Sequence, residues 1–229
     1  MASISDEAKP RLGLFLREGP ALWLRAWKSF GKLIERGPAD GPKLMVIPGF
    51  VANDRTTLGL QRALAAAGYR VTGWGLGLNK GVKPDMLEKI ATRIQAFGDG
   101  KKVILVGWSL GGIFARELAK QRPELVEKVV TMGSPFSGDP RSNNVWRLYE
   151  WIAGHPVDDP PIKTVLSEKP PVPTLALWSR KDGIVSVRST RGLPGESDRQ
   201  VEIDCSHMGF AVSGRACPAI VAAIKGFDA

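Results

Sequence analysis

The sequence predicts an α/β protein, a mostly parallel sheet of about six strands with helices on both faces. Three observations carry this. Short β-branched runs alternate with amphipathic stretches of helical period along most of the 229 residues. Several of those runs, at 43–47, 103–106 and 174–178, are apolar apart from Lys43 and Thr174 at their starts, as strands buried on both faces are. Glycine and proline punctuate the runs.

Residues 11–36 carry apolar groups at Leu12, Phe15, Leu16, Leu22, Trp23, Trp27, Phe30, Leu33 and Ile34, with basic residues on the remaining surface. Gly19-Pro20 divides this segment into two helical pieces. The first strand is 43–47, followed by Pro48-Gly49-Phe50 and a helix from near Thr56 to a stop at Gly68. A second strand, 69–74, runs into a glycine-rich loop, 75–81, that has neither of the phosphate-binding glycine orders and reads as a border of the cleft. A helix over 85–97, a strand ending at Val106, and a helix from Ile113 to Lys120 come next. A strand at 126–132 leads to Gly133-Ser134-Pro135. Strands at 174–178 and 200–204 and a closing helix over 218–227 complete the chain.

Length and composition fit a single domain, residues 1–229, with an N-terminal helical segment over 1–40 and a cap-like insertion over 139–173. The net charge of +9 is spread along the chain and accompanies no nucleic-acid module, so no nucleic-acid partner is expected. No apolar run is long enough to span a bilayer and the N-terminus lacks the layout of a secretory signal, which points to a cytoplasmic location while leaving a secreted or membrane-peripheral one open. The basic amphipathic segment over Arg11–Arg36 can lie on a membrane surface or dock on its own domain. No Cys/His cluster has metal-ligand spacing, and neither a metal nor a cofactor is expected.

Chemistry concentrates at Gly107-Trp108-Ser109-Leu110-Gly111-Gly112, where a strand turns directly into a helix. Glycines there let neighbouring backbone come close, so that a tight turn can present the Ser109 hydroxyl in a cleft. Serine needs a base, and the chain has two histidines. His207 follows the last strand, at the sheet edge where functional loops gather, whereas His155 lies in a proline-rich stretch. Asp182, after the preceding strand, is the candidate for orienting the imidazole, with Asp204 as second choice. Two backbone N–H groups are needed for an oxyanion. Leu110 follows the nucleophile, and Phe50 sits in the loop after the first strand.

These residues resemble those of small bacterial lipases and esterases of the α/β-hydrolase superfamily. The matching stretches are Pro48-Gly49-Phe50, the Ser109 elbow, Gly133-Ser134-Pro135, Asp182-Gly183-Ile184-Val185 and Ser206-His207-Met208-Gly209, in the family's order over about four fifths of the chain. Pro48 replaces the histidine of the usual His-Gly oxyanion motif, and Phe136 stands where many lipases carry a histidine. The resemblance implies a serine carboxylic-ester hydrolase, esterase or lipase, acting on a small-molecule or lipid ester through an acyl-enzyme on Ser109. The same triad serves thioesterases, acyltransferases and amidases, and a hydrolase fold can also act as a non-catalytic, membrane-associated binding protein. The resemblance further implies that 139–173 lies near the cleft, as a mobile lid or as packing, and that Phe136, Trp146, Tyr149 and Met208 are candidate substrate-binding side chains. Cys205 and Cys217 flank His207, either bridged or as two buried thiols.

Overall fold

The computed structural model describes residues 10–18, 38–138 and 165–227. Its strands are β1 (Lys43–Ile47), β2 (Arg70–Gly73), β3 (Val103–Trp108), β4 (Val126–Met132), β5 (Thr174–Trp178) and β6 (Arg199–Glu202). They form one six-stranded sheet in the order β2-β1-β3-β4-β5-β6, and each is parallel to its neighbours. The helices are α1 (Leu12–Arg17), α2 (Leu58–Ala66), α3 (Met86–Gly98), α4 (Leu110–Gln121), α5 (Val187–Arg191), α6 (Gly209–Val212) and α7 (Cys217–Lys225).

Strand alternation splits the core into two layers. Leu44 and Val46 of β1 pack with Leu60 and Leu64 of α2 and with Ile220 and Ile224 of α7. Met45 and Ile47, one position out of phase, pack with Ile90 and Ile94 of α3 and with Phe114 and Leu118 of α4. Burying such a side chain contributes roughly 1.5–3 kcal/mol. The layering follows from connection handedness. The crossover from β1 to β2 runs one way along the sheet and that from β2 to β3 runs back, so right-handed connections put α2 and α3 on opposite faces. β3 to β4 continues in the second direction, and α4 joins the α3 layer.

The reversal of strand order falls between β1 and β3, the place where open α/β sheets put their ligands. The register aligns Ile47 with Gly107, Gly107 with Thr131 and Thr131 with Ala176. The loops after β1, β3, β4 and β5 therefore leave the sheet from one edge, side by side.

Several boundaries differ from expectation. The second strand is shorter than 69–74, with Tyr69 and Trp74 buried at its flanks. The last strand ends at Glu202 rather than Asp204, so Ile203 and Asp204 belong to the loop before His207. α5 and α6 were not anticipated. At five and four residues they are too short to show a helical period. Of the N-terminal segment, α1 and the residues flanking it are described. Most of the expected cap, including Trp146, Tyr149, Trp151 and His155, lies outside the described residues.

Arg116 anchors the chain where it returns from that insertion. Fully buried on α4, it donates to the carbonyls of Ser167, Glu168 and Glu196. Burial lowers its pKa to about 10, although Glu117 and Glu196 oppose the shift.

Candidate active site

The elbow is built by glycines that cannot be replaced without moving backbone. A Cβ on Gly107 would overlap the Gly111 carbonyl, and one on Gly111 would overlap the Ile47 carbonyl at the end of β1. A Cβ on Gly112 would meet the Ser134 hydroxyl instead. With α4 pressed this closely against β1 and β3, the intervening residue takes a backbone conformation that non-glycine residues rarely adopt. Ser109 has φ 54° and ψ −122°. Its N–H donates to the Met132 carbonyl at 2.9 Å, which ties the turn to β4. Such a conformation costs about 1–3 kcal/mol and persists because the surrounding structure over-determines it.

The loop after β1 crosses directly in front. A Cβ on Gly49 would lie 3.1 Å from the Ser109 Cβ and 3.1 Å from the Trp108 ring, so Phe50 is held beside the elbow. Leu110 is the first residue of α4, where backbone N–H groups have no partner inside the helix. Asn79, fully buried, shapes this loop. Its side-chain amide donates to the Pro48 carbonyl at 2.9 Å, its backbone carbonyl accepts from the Val51 N–H at 2.8 Å, and Val51 takes a positive φ of 56°. The glycine-rich loop read as a border of the cleft thus holds the turn at Phe50 through one asparagine, which sequence reasoning missed. An asparagine in a glycine loop is common, and the carbonyl to which its side-chain amide donates lies 31 residues back along the chain.

Asp182 and His207 meet as expected. His207 Nδ1 lies 2.7 Å from Asp182 Oδ2, and both side chains are buried. The other carboxylate oxygen, Oδ1, accepts from the Ile184 and Val185 N–H groups at 2.8 Å each, which fixes its direction. An ionised Asp182 accepts a hydrogen bond from the Nδ1–H of a neutral imidazole, which leaves Nε2 as the basic nitrogen. Burial alone would disfavour the imidazolium, but the charge and hydrogen bond of Asp182, with the charge of Glu18 behind them, hold the His207 pKa above the ordinary histidine value. Gly133 joins this pair to the elbow. A Cβ there would lie 3.1 Å from both Asp182 Oδ2 and His207 Nδ1, and Gly133 follows the Met132 that accepts from Ser109. Trp108, next to Ser109, donates its indole N–H to the His207 carbonyl at 3.1 Å. Asp204 is excluded as the partner, because it is exposed and pairs with Lys181 at 2.6 Å.

Three other expectations change. Phe136 is 1% exposed and packs with Ile113 and Ala176 while the Arg116 guanidinium sits over its ring at 4.2 Å, so it belongs to the core. The Met208 side chain, also 1% exposed, packs in the α2/α7 layer. Trp146 and Tyr149 lie outside the described residues. Cys205 and Cys217 are free, buried thiols rather than a bridge. Burial, with the negative charges of Asp182, Glu18 and Asp204, pushes the Cys205 pKa up to about 12. Among the described residues, no group of His, Cys, Asp and Glu has the makings of a metal site, and no helix is long and apolar enough to cross a membrane.

The alpha/beta hydrolase fold family matches the chain over residues 79–157, which spans the elbow. Together with the sheet and its strand order, this gives the chain an α/β-hydrolase fold. Solved structures agree on the fold at low identity. A carboxylesterase from Bacillus subtilis superposes with a TM-score of 0.57 at 14% identity, over 94% of this chain and 99% of its own. A lipase-esterase related protein from Clostridium acetobutylicum gives a TM-score of 0.60 at 16% identity, covering 85% and 98%. The thioesterase domain of the curacin biosynthetic pathway gives 0.59 at 15% identity, covering 83% and 93%. No curated protein matches by sequence.

Proposed function

We propose that the protein is a serine carboxylic-ester hydrolase, an esterase or lipase, working through an acyl-enzyme on Ser109. The observation that carries this reading is the buried 2.7 Å pairing of His207 Nδ1 with Asp182 beside a serine held at positive φ. In the mechanism, His207 Nε2 takes the Ser109 proton as Oγ attacks the ester carbonyl carbon. The resulting oxyanion is held by the N–H groups of Phe50 and Leu110, a role supported by the closeness of Gly49 to Ser109 and by the position of Leu110 at the start of α4. Collapse breaks the carbon–oxygen bond to the alcohol, which leaves with the proton from His207. Water, deprotonated by His207, then attacks the acyl-enzyme, and the acid leaves with Ser109 restored.

The test is hydrolysis of a p-nitrophenyl ester series from acetate to palmitate, with parallel thioester and amide substrates. Ester turnover is expected to be lost in Ser109→Ala, by about 10,000-fold or more in kcat, and a fluorophosphonate probe is expected to label Ser109 in folded protein. A Ser109→Ala protein with undiminished turnover would rule the reading out. A faster thioester or amide series would reassign the leaving group, and absence of labelling would mark a binding protein on a hydrolase fold.

A further inference from the structure

One buried carboxylate in this corner takes no part in the mechanism above. Glu18 follows α1 and is 5% exposed. Its Oε1 accepts from the His207 N–H at 2.6 Å and from the Gly183 N–H at 3.1 Å, and its Oε2 accepts from the Met208 N–H at 3.0 Å. A single oxygen thus bridges the loop that carries Asp182 to the loop that carries His207. Successive N–H groups of the acid loop divide between the two carboxylates, Gly183 donating to Glu18 and Ile184 and Val185 to Asp182. A separate observation shows how closely the N-terminal segment is seated: a Cβ on Gly183 would overlap the Leu14 carbonyl of α1. Burying a carboxylate is strongly unfavourable unless its oxygens are satisfied, and here backbone donors from two loops satisfy them.

We infer that Glu18 is a positioning residue, a clamp that sets the spacing of the Asp182 and His207 loops and makes the N-terminal segment part of the catalytic machinery. This rests on the reading of Ser109, His207 and Asp182 as a triad. The carboxylate is suited to the role because it makes no contact with the imidazole ring itself. It fixes the backbone from which the ring projects, while Asp182 fixes the ring. Its negative charge, near the imidazole, also favours the imidazolium that forms as Ser109 attacks. Among the described residues, the charged groups that act on the ring are Asp182 and Glu18, while Cys205 and Asp204 lie on its own loop, the last paired with Lys181.

Glu18→Gln tests the clamp. The amide keeps one acceptor oxygen but turns an NH2 toward a backbone N–H and removes the charge. We expect kcat/KM for a p-nitrophenyl ester to fall about tenfold or more, mostly in kcat, since small displacements of reacting groups carry penalties of this size. We also expect the His207 ring, followed by NMR with His155 as the second histidine signal, to titrate at lower pH than in the parent protein, because a neighbouring negative charge is gone. A purely structural Glu18 would lower thermal stability and move neither kcat nor the titration of His207, and that result would overturn the proposal. Glu18→Asp keeps the charge but shortens the reach. It should preserve the titration and recover only part of kcat, and parental kcat/KM in this variant would also overturn the clamp, including where Glu18→Gln fails to fold. The His207 titration needs no substrate. If the parent protein hydrolyses no ester, the proposed function fails while the coupling of Glu18 to His207 is still decided.

Discussion

At the elbow, Ser109 is held by main chain, through glycines that let α4 press on β1 and β3 and through the Met132 carbonyl that accepts its N–H. At the opposite corner, Asp182 and His207 stand on loops 25 residues apart and are held by side chains, above all by a glutamate 189 residues from the histidine it supports. The first arrangement is mainly steric and is made by close approach of main chain. The second is electrostatic and long-range, and every member depends on another. Perturbing the elbow should therefore appear as lost stability, whereas perturbing the corner should appear as lost chemistry in a protein that still folds.

The largest effect expected from breaking the contrast is at Asp182. In Asp182→Asn the retained oxygen can still accept from Ile184 and Val185, but the NH2 faces His207 Nδ1 and forces the proton onto Nε2. The imidazole then presents a donor to Ser109 where a base is required. The expected outcome is a fall in kcat of about 1,000- to 10,000-fold with a melting temperature close to that of the parent, read by ester kinetics beside thermal denaturation. A loss below tenfold would mean that the pairing does not set the tautomer.

Gly111→Ala is the matching perturbation of the elbow. Its Cβ would overlap a main-chain carbonyl, which cannot step aside, and the expected destabilisation is about 3–5 kcal/mol, or roughly 10 °C in a chain of this size. Gly112→Ala meets the Ser134 hydroxyl, which can rotate, with the Ser134 Cβ at 2.8 Å and the Gly107 carbonyl at 3.0 Å behind it, and should be destabilising to a lesser degree. Equal melting temperatures for the two variants would show that backbone proximity is not what holds the turn.

This difference explains what could be read from the sequence. The sheet was legible because strands covered on both faces must be continuously apolar, as Lys43–Ile47 and Thr174–Trp178 largely are. The elbow was legible because its constraint is written in glycines next to the serine. His207 and Asp182 were found by the order of chemically capable residues at strand ends. Glu18 and Asn79 were not found, since each acts by meeting backbone groups, and backbone groups leave no mark on residue identity. Phe136 and Met208 were misread for a related reason: an apolar side chain beside a catalytic loop looks the same whether it lines a pocket or packs beneath it.

A smaller effect separates chemistry from stability within the corner itself. Because the folded pKa of His207 is raised, its contribution to stability is fully present below the unfolded value of about 6.5 and is lost as pH rises through the folded value. Catalysis needs the neutral imidazole, so kcat/KM should rise over the same interval in which the melting temperature falls. Each unit of elevation corresponds to about 1.4 kcal/mol. A pH–rate profile with its half-maximum below about pH 6 would contradict a raised pKa.

The smallest expected effect is none at all, and it concerns the other way of holding the histidine loop. A Cys205–Cys217 bridge would have closed a short loop around His207 and contributed about 3 kcal/mol in the chain-entropy account, or roughly 6–12 °C in melting temperature. Both thiols are instead free and buried, and Cys205, with its pKa pushed up to about 12, is held as an unreactive thiol. Dithiothreitol should leave the melting temperature unchanged, and a thiol reagent should titrate both cysteines only after denaturation. A reductant-sensitive melting temperature would mean that a covalent link shares the work of the hydrogen bonds. An insensitive one leaves the placement of His207 to the contacts that reach its loop from elsewhere, namely the Trp108 indole, the Ser179 hydroxyl on the Cys205 carbonyl at 2.5 Å, and Glu18.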